Sequence, residues 1–136
     1  MKLKKIEYDD LNSRQKENYN YQTVSAMLAT YSFATIRLSD DWQTADFIAQ
    51  HIDGKTFIKV QLKGRIYFNK KYKGKDIYIC GRSKGIWYLY PHDKLLKPVL
   101  RNTRIKETYS WDTRGGYGWK KVPDHLEKYF LPYQLI

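Results

Sequence analysis

A chain of 136 residues is most simply one domain, long enough to bury a core, and its 42% apolar content excludes global disorder. Its 25 lysines and arginines against 14 aspartates and glutamates leave a net charge of +11. Nucleic acid is the partner that such a balance favours, because phosphates release counterions to each neutralising cation. Cys80 is the single cysteine, which excludes an intrachain disulfide and a cysteine-based zinc cluster. No apolar leader, membrane-length apolar run or basic amphipathic helix is visible, so the chain reads as cytoplasmic, with no membrane partner.

Residues 1–11 are a charged lead-in. From Asn12 the spacing predicts a helix: Asn12 caps it, Gln15 stands where a side chain reaches back, and Tyr21, Val24, Leu28 and Tyr31 form one stripe. Residues 33–38 predict a short strand, and residues 39–44 a turn in which Asp40 and Asp41 are turn formers. A second strand is expected over residues 45–52, then a turn, then a third strand over residues 56–68. That third strand alternates Ile58, Val60 and Leu62 on one face with Lys59, Gln61, Lys63 and Arg65 on the other. A basic link over residues 69–75 leads to two more strands, 76–81 and 85–91, separated by the turn-like Arg82, Ser83 and Lys84. Pro91 opens a short helix that Pro98 limits, Gly115, Gly116 and Gly118 mark a loop, and Pro123 stands near the start of a terminal helix.

Chemistry concentrates where the second and third strands meet. Gln61 and Lys63 share a face, and antiparallel pairing about the intervening turn brings Asp46 almost opposite Gln61. Asp46 is a hard oxygen ligand suited to Mg²⁺ or Mn²⁺, and Gln61 and the Leu62 carbonyl add neutral oxygens. Lys63 can hold an attacking water or offset charge on a phosphate. Glu17, four residues before Tyr21 on the helix stripe, is a candidate to complete the metal shell. The plainer alternatives are a solvated strand face for Gln61 and Lys63, a strand-start residue for Asp46 and a dipole-favoured helix-start carboxylate for Glu17. His51 and His92 read as structural.

Asp46 followed, after a turn, by Gln61, Leu62 and Lys63 resembles the D…(D/E)xK signature of the PD-(D/E)xK, or restriction-endonuclease-like, nucleases, with Gln in the second acidic position. That variant includes a group I intron homing endonuclease. FIKVQLKGR followed by DIYICGRSKGIWYLYPHDKL resembles small Holliday-junction-resolvase-like members. The blocks LSDDWQTADFIA, KVQLKGR, KKYKGKDIYI and WYLYPHD resemble those of a small bacterial family, and together cover roughly residues 12–96. The resemblance implies an α/β fold with a restriction-endonuclease-like core: an N-terminal helix, a mixed central sheet of about five strands and short C-terminal helices. It implies one nuclease-like domain with its core at residues 12–100 and an extension at residues 101–136. It also implies Mg²⁺- or Mn²⁺-dependent hydrolysis of phosphodiester bonds in DNA, with Asp46, Gln61, Leu62 and Glu17 at the metal and Lys63 assisting. The alternative is a nuclease-fold module without catalysis that binds nucleic acid or a protein, for example in phage–host conflict.

Arg65, Lys70, Lys71, Lys73 and Lys75, interleaved with Tyr72, fit a groove that tracks a phosphate backbone, and Arg82 and Lys84 extend it. Trp111, Tyr117 and Trp119 suit either stacking of unpaired bases or anchoring on the core or on a protein partner. Cutting both strands in one encounter takes two copies of a single-site domain, which makes a homodimer one candidate arrangement.

Overall fold

The computed structural model describes residues 1–40 and 44–136. Asp41, Trp42 and Gln43, part of the turn expected over residues 39–44, lie outside the described residues. Helix α1, Ser13–Ala29, opens on a reciprocal cap: Gln15 N donates to Asn12 Oδ1 and Asn12 N donates to Gln15 Oε1, each at 2.9 Å. Two amides that a helix start leaves orphaned are thereby satisfied. The helix buries Asn20, Val24 and Leu28. Tyr31, expected on that stripe, falls past the helix end and is exposed, because the chain turns through a left-handed Ser32 (φ 68°).

Among the described residues seven strands follow: β1 (Phe33–Arg37), β2 (Phe47–His51), β3 (Phe57–Leu62), β4 (Ile66–Asn69), β5 (Ile77–Ser83), β6 (Ile86–Pro91) and β7 (Gly116–Trp119). Five form a mixed sheet in the order β1-β2-β3-β5-β6, and β4 pairs with β7 in a separate two-stranded sheet. Asp53 sets the β2–β3 hairpin: its Oδ1 accepts the amides of Lys55 and Thr56, each at 2.8 Å, and its Oδ2 accepts the Thr56 hydroxyl at 2.7 Å. Those hydrogen bonds, the Thr56 hydroxyl first, hold the Asp53 carboxyl down at about 2.

The single strand expected over residues 56–68 is two strands in two sheets. β3 pairs parallel with β5, so the chain must cross over between them, and it leaves the sheet at residues 63–65 to do so. Gly81 permits the crossing: a Cβ there would lie 2.6 Å from the Arg65 carbonyl oxygen. Gly116 and Gly118, expected to mark a loop, are strand residues for a related reason. A Cβ on Gly118 would meet Ile66 O at 2.8 Å and Arg65 Cδ at 3.0 Å, and one on Gly116 would strike Tyr67. β5 extends through Arg82 and Ser83, leaving a two-residue turn at Lys84 and Gly85, both left-handed (φ 52° and 76°).

Pro98 does not limit the second helix. α2 runs from His92 to Asn102, and the carbonyl deprived of a proline N–H belongs to exposed Lys94, within reach of water. The short α3, Glu127–Phe130, closes the fold. On one face of the sheet α1 packs Val24 and Leu28 against Phe47, Val60, Cys80 and Trp87. On the other, α2, α3 and the small sheet cover Ile79 and Tyr90 with Phe68, Leu96 and Phe130. Each such buried side chain is worth about 1.5–3 kcal/mol. Burial pushes the Cys80 thiol far above its ordinary range, so it serves as a small apolar group. Among the described residues no helix is long and apolar enough to cross a membrane.

Candidate active site

Three strands converge on Asp46. Leu38 N, just past β1, donates to Asp46 O at 3.0 Å, and Asp46 N donates to Val60 O at 2.8 Å. Val60 is already the partner of Phe47. Asp46 and Phe47 therefore oppose one residue of β3, a bulge at the entrance to β2. Regular extension of the ladder would set Asp46 against Gln61. The bulge re-aims it instead, and Asp46 Oδ2 accepts the Leu62 amide at 2.8 Å. A strand residue sends its N–H and C=O to the same side, so the Leu62 carbonyl also projects toward the Asp46 side of β3.

The half-buried Asp46 lines a cleft of about 600 Å³ at this end of the sheet, together with Leu62, Glu17, Asn18, Arg14 and Arg37. Glu17 thus reaches the same cleft as Asp46, from one turn inside α1. Gln61 and Lys63 are not among the residues that line it. Ile58, Val60 and Leu62 pack toward α1, so alternation turns Gln61 and Lys63 to the other face of the strand end. Lys63 N donates to Cys80 O at 2.8 Å, and its ammonium rests 4.8 Å from the Tyr67 ring centroid. Among the described residues no three His, Cys, Asp or Glu side chains gather as a metal-binding group.

Arg37, like Arg14 and Asn18, is a cleft residue that sequence reasoning missed. Its Nη1 donates to Asn18 Oδ1 at 2.7 Å, and its guanidinium lies 4.8 Å from the Tyr21 ring centroid. Tyr21 is itself fixed, sharing a 2.9 Å hydrogen bond with Thr35 Oγ1. The signal was present in β1, where Phe33, Thr35 and Arg37 alternate on the helix-facing side and only Arg37 is charged.

The expected basic residues separate into two groups. Arg82 and Lys84 lie at the cleft end of β5, with the Arg82 guanidinium 4.6 Å from the Tyr8 ring centroid. Arg65 sits at the same end, its stem laid across Gly118. Lys70, Lys71, Lys73 and Lys75 lie at the other end. Gly74 N donates to Asp93 Oδ2 at 2.8 Å, and the Lys75 carbonyl accepts from Lys59 Nζ at 2.5 Å, just before β5 begins. Leu62 pairs with Cys80, three positions after Ile77, which puts this segment on the order of 10 Å or more from the cleft. Lys70 also packs on Trp111, 5.5 Å from its ring centroid, and Trp111 is a core anchor.

His92 and Asp93 form a closed pair. Asn69 N donates to His92 Nε2 at 3.1 Å, so Nδ1 carries the proton toward Asp93 Oδ1, 2.8 Å away. Burial pushes the His92 pKa below its ordinary value despite the adjacent carboxylate. Both ring nitrogens are occupied, which removes this histidine from acid–base work.

No protein-family model matches the chain, and no curated protein is significantly similar to it. Among solved structures, the chain is similar to Hjc, a Holliday junction resolvase of the archaeal hyperthermophile Archaeoglobus fulgidus. That similarity is 17% identity over 57% of this chain and 74% of the resolvase, with a TM-score of 0.48. It is also similar to a bacterial homing endonuclease, at 12% identity over 83% of this chain and 78% of the other, with a TM-score of 0.49. At those identities and scores neither likeness assigns an activity.

Proposed function

We propose that this chain is a metal-dependent nuclease of the PD-(D/E)xK type that hydrolyses phosphodiester bonds in DNA, with the end of β3 as its reaction site. The observation that carries this reading is the hydrogen bond from the Leu62 amide to Asp46 Oδ2. It fixes a carboxylate at the end of a strand, in a cleft that also holds a preset arginine. The net charge of +11 supports a phosphate-bearing substrate.

The cleft offers oxygen donors, the carboxylates of Asp46 and Glu17 and the Leu62 carbonyl, and the Gln61 amide, on the other face of the strand end, would have to swing in to join them. Mg²⁺ suits such a set, because it takes one or two carboxylates and keeps several waters. When bound, the cation supplies Lewis-acid stabilisation of charge on the phosphoryl oxygens. The chain's own residues do the rest. The Leu62 amide holds Asp46 in one orientation before substrate arrives, which spares reorganisation later. Arg37 presents the remainder of its fork to a phosphate oxygen. Lys63, on a flexible stem, leaves the Tyr67 ring to offset charge on the reacting phosphate.

A second reading, a nuclease-fold module that binds nucleic acid without cutting, is favoured by one observation: no three-residue acidic, histidine or cysteine cluster among the described residues. Labelled single-stranded, duplex and junction DNA, and RNA, incubated with Mg²⁺ or Mn²⁺, separate the two. Cutting that stops in EDTA supports the nuclease; binding without cutting in either metal supports the module.

A further inference from the structure

The β4–β7 sheet carries a second cavity, of about 390 Å³, on the C-terminal extension. Two half-buried rings on β7 line it, Tyr117 and Trp119, meeting edge to face with centroids 5.3 Å apart. Arg104, Asn102 and His125 supply polar groups at its wall. Aromatic faces beside cations are the composition that holds an unpaired base, since every base has a π-face and every nucleotide a phosphate.

The position of this cavity gives that composition a use. Trp119 pairs with Ile66, so it stands beside Arg65, whose carbonyl crosses over Gly81 at the cleft end of the main sheet. Exposed Lys120 and Lys121 come next, and Val122 N then donates to Ser83 Oγ at 3.0 Å. The pair of lysines therefore lies at the end of β5, next to the turn that presents Lys84. Lys63 and Arg65 lie on the face of the small sheet that carries Gly118, and Lys120 and Lys121 follow at its edge, between Trp119 and Pro123 at the rim of the aromatic cavity on the opposite face. Two of the nearby cations have carboxylate partners: Lys121 faces Asp124 at 4.0 Å, and at the cavity Arg104 pairs with Glu107 at 3.2 Å.

We propose that the Tyr117–Trp119 cavity takes an unpaired nucleobase of a strand whose phosphates pass Arg65 on one face of the small sheet and cross its edge at Lys120 and Lys121, so that the preferred substrate is DNA with a single-stranded segment beside its duplex. The statement about the substrate rests on the nuclease reading, whereas the binding itself does not.

The test is fluorescence anisotropy in EDTA, where no cutting occurs, comparing a blunt DNA duplex with the same duplex bearing a single-stranded extension. The wild-type chain is expected to bind the extended duplex about ten-fold more tightly, the equivalent of one base stacked on an aromatic ring. Trp119→Leu keeps apolar packing against Phe68 while removing the stacking face, and that preference should collapse in a variant that remains folded at the assay temperature. Lys120→Glu combined with Lys121→Glu should flatten the salt dependence of binding to the extended duplex. Equal affinity of the wild type for both DNAs overturns the proposal, as does a preference that survives Trp119→Leu. A chain that shows the preference but cuts nothing in Mg²⁺ or Mn²⁺ upholds the base site and defeats the nuclease reading. A chain that cuts DNA without the preference does the reverse.

Discussion

Asp46 Oδ2 accepts the Leu62 amide at 2.8 Å, and this contact ties the start of β2 to the end of β3 at the point where their ladder gives out. The carboxylate is both the acceptor that closes the ladder and the anion at the floor of the cleft. Stability and chemistry can be separated at this residue. Asp46→Asn keeps an oxygen for the Leu62 amide, whereas Asp46→Ala leaves that amide without its acceptor. Urea unfolding should find the alanine variant about 1 kcal/mol less stable than the asparagine variant. Equal stabilities would mean that water replaces the contact fully.

Asn18 and Tyr21 hold Arg37 in place at the cleft, and the nuclease reading gives it a phosphate oxygen to bind. Arg37→Ala should lower kcat/KM on DNA by about ten-fold or more, the loss of roughly 1.5–3 kcal/mol for hydrogen bonds to a charged group. Arg37→Lys should recover little of it, because an ammonium can neither bridge two acceptors in a fork nor stack as flatly on Tyr21. Full activity in the lysine variant would show that only charge matters there.

Gln61 tests how far the metal shell extends round the strand end. Gln61→Glu adds a second carboxylate, and Mn²⁺ binding measured by calorimetry should tighten by about ten-fold, or about 1.4 kcal/mol. An unchanged affinity would place residue 61 outside the ligand set.

His92 makes stability depend on pH. Its folded pKa is lowered by burial from an ordinary value of 6.5, so as the pH falls below 6.5 the unfolded chain takes up a proton that the folded chain refuses. Stability from this residue is thus complete above about pH 6.5 and is lost progressively toward acid. Melting temperatures between pH 7.5 and pH 5 should fall for the wild type and fall less for His92→Gln, which offers an uncharged acceptor to Asn69. Asp53 adds a separate limb, since its carboxyl is held at about 2 against an ordinary 3.8. Its contribution is present above the higher value and lost as the pH falls through the lower one.

Much of this architecture was legible in the residues, because local physics fixed it. The Asn12–Gln15 cap, the helix stripe at Val24 and Leu28, the β2–β3 hairpin and the alternation through Ile58, Val60 and Leu62 are all short-range patterns. What was not legible depends on long-range geometry. The crossover demanded by parallel β3 and β5 splits a strand that looks continuous in sequence, and Gly81, eighteen residues after Lys63, is the residue that permits it. The bulge at Asp46 is equally hidden, since alternation alone sends this carboxylate toward Gln61. Lys120 and Lys121 carry no motif, and only the pairing of β7 with β4 brings them to the cleft end. The lysines at 70, 71, 73 and 75 look adjacent to Arg65 in sequence, yet β4 carries them to the far end of the sheet.

The most direct measurement of the central claim is cleavage of labelled DNA in Mg²⁺ by wild-type chain and Asp46→Asn, matched for melting temperature. The wild type should cut, with cutting that stops in EDTA, and the variant should cut about a hundred-fold or more slowly. Mg²⁺-dependent cutting at an undiminished rate in Asp46→Asn would contradict that claim.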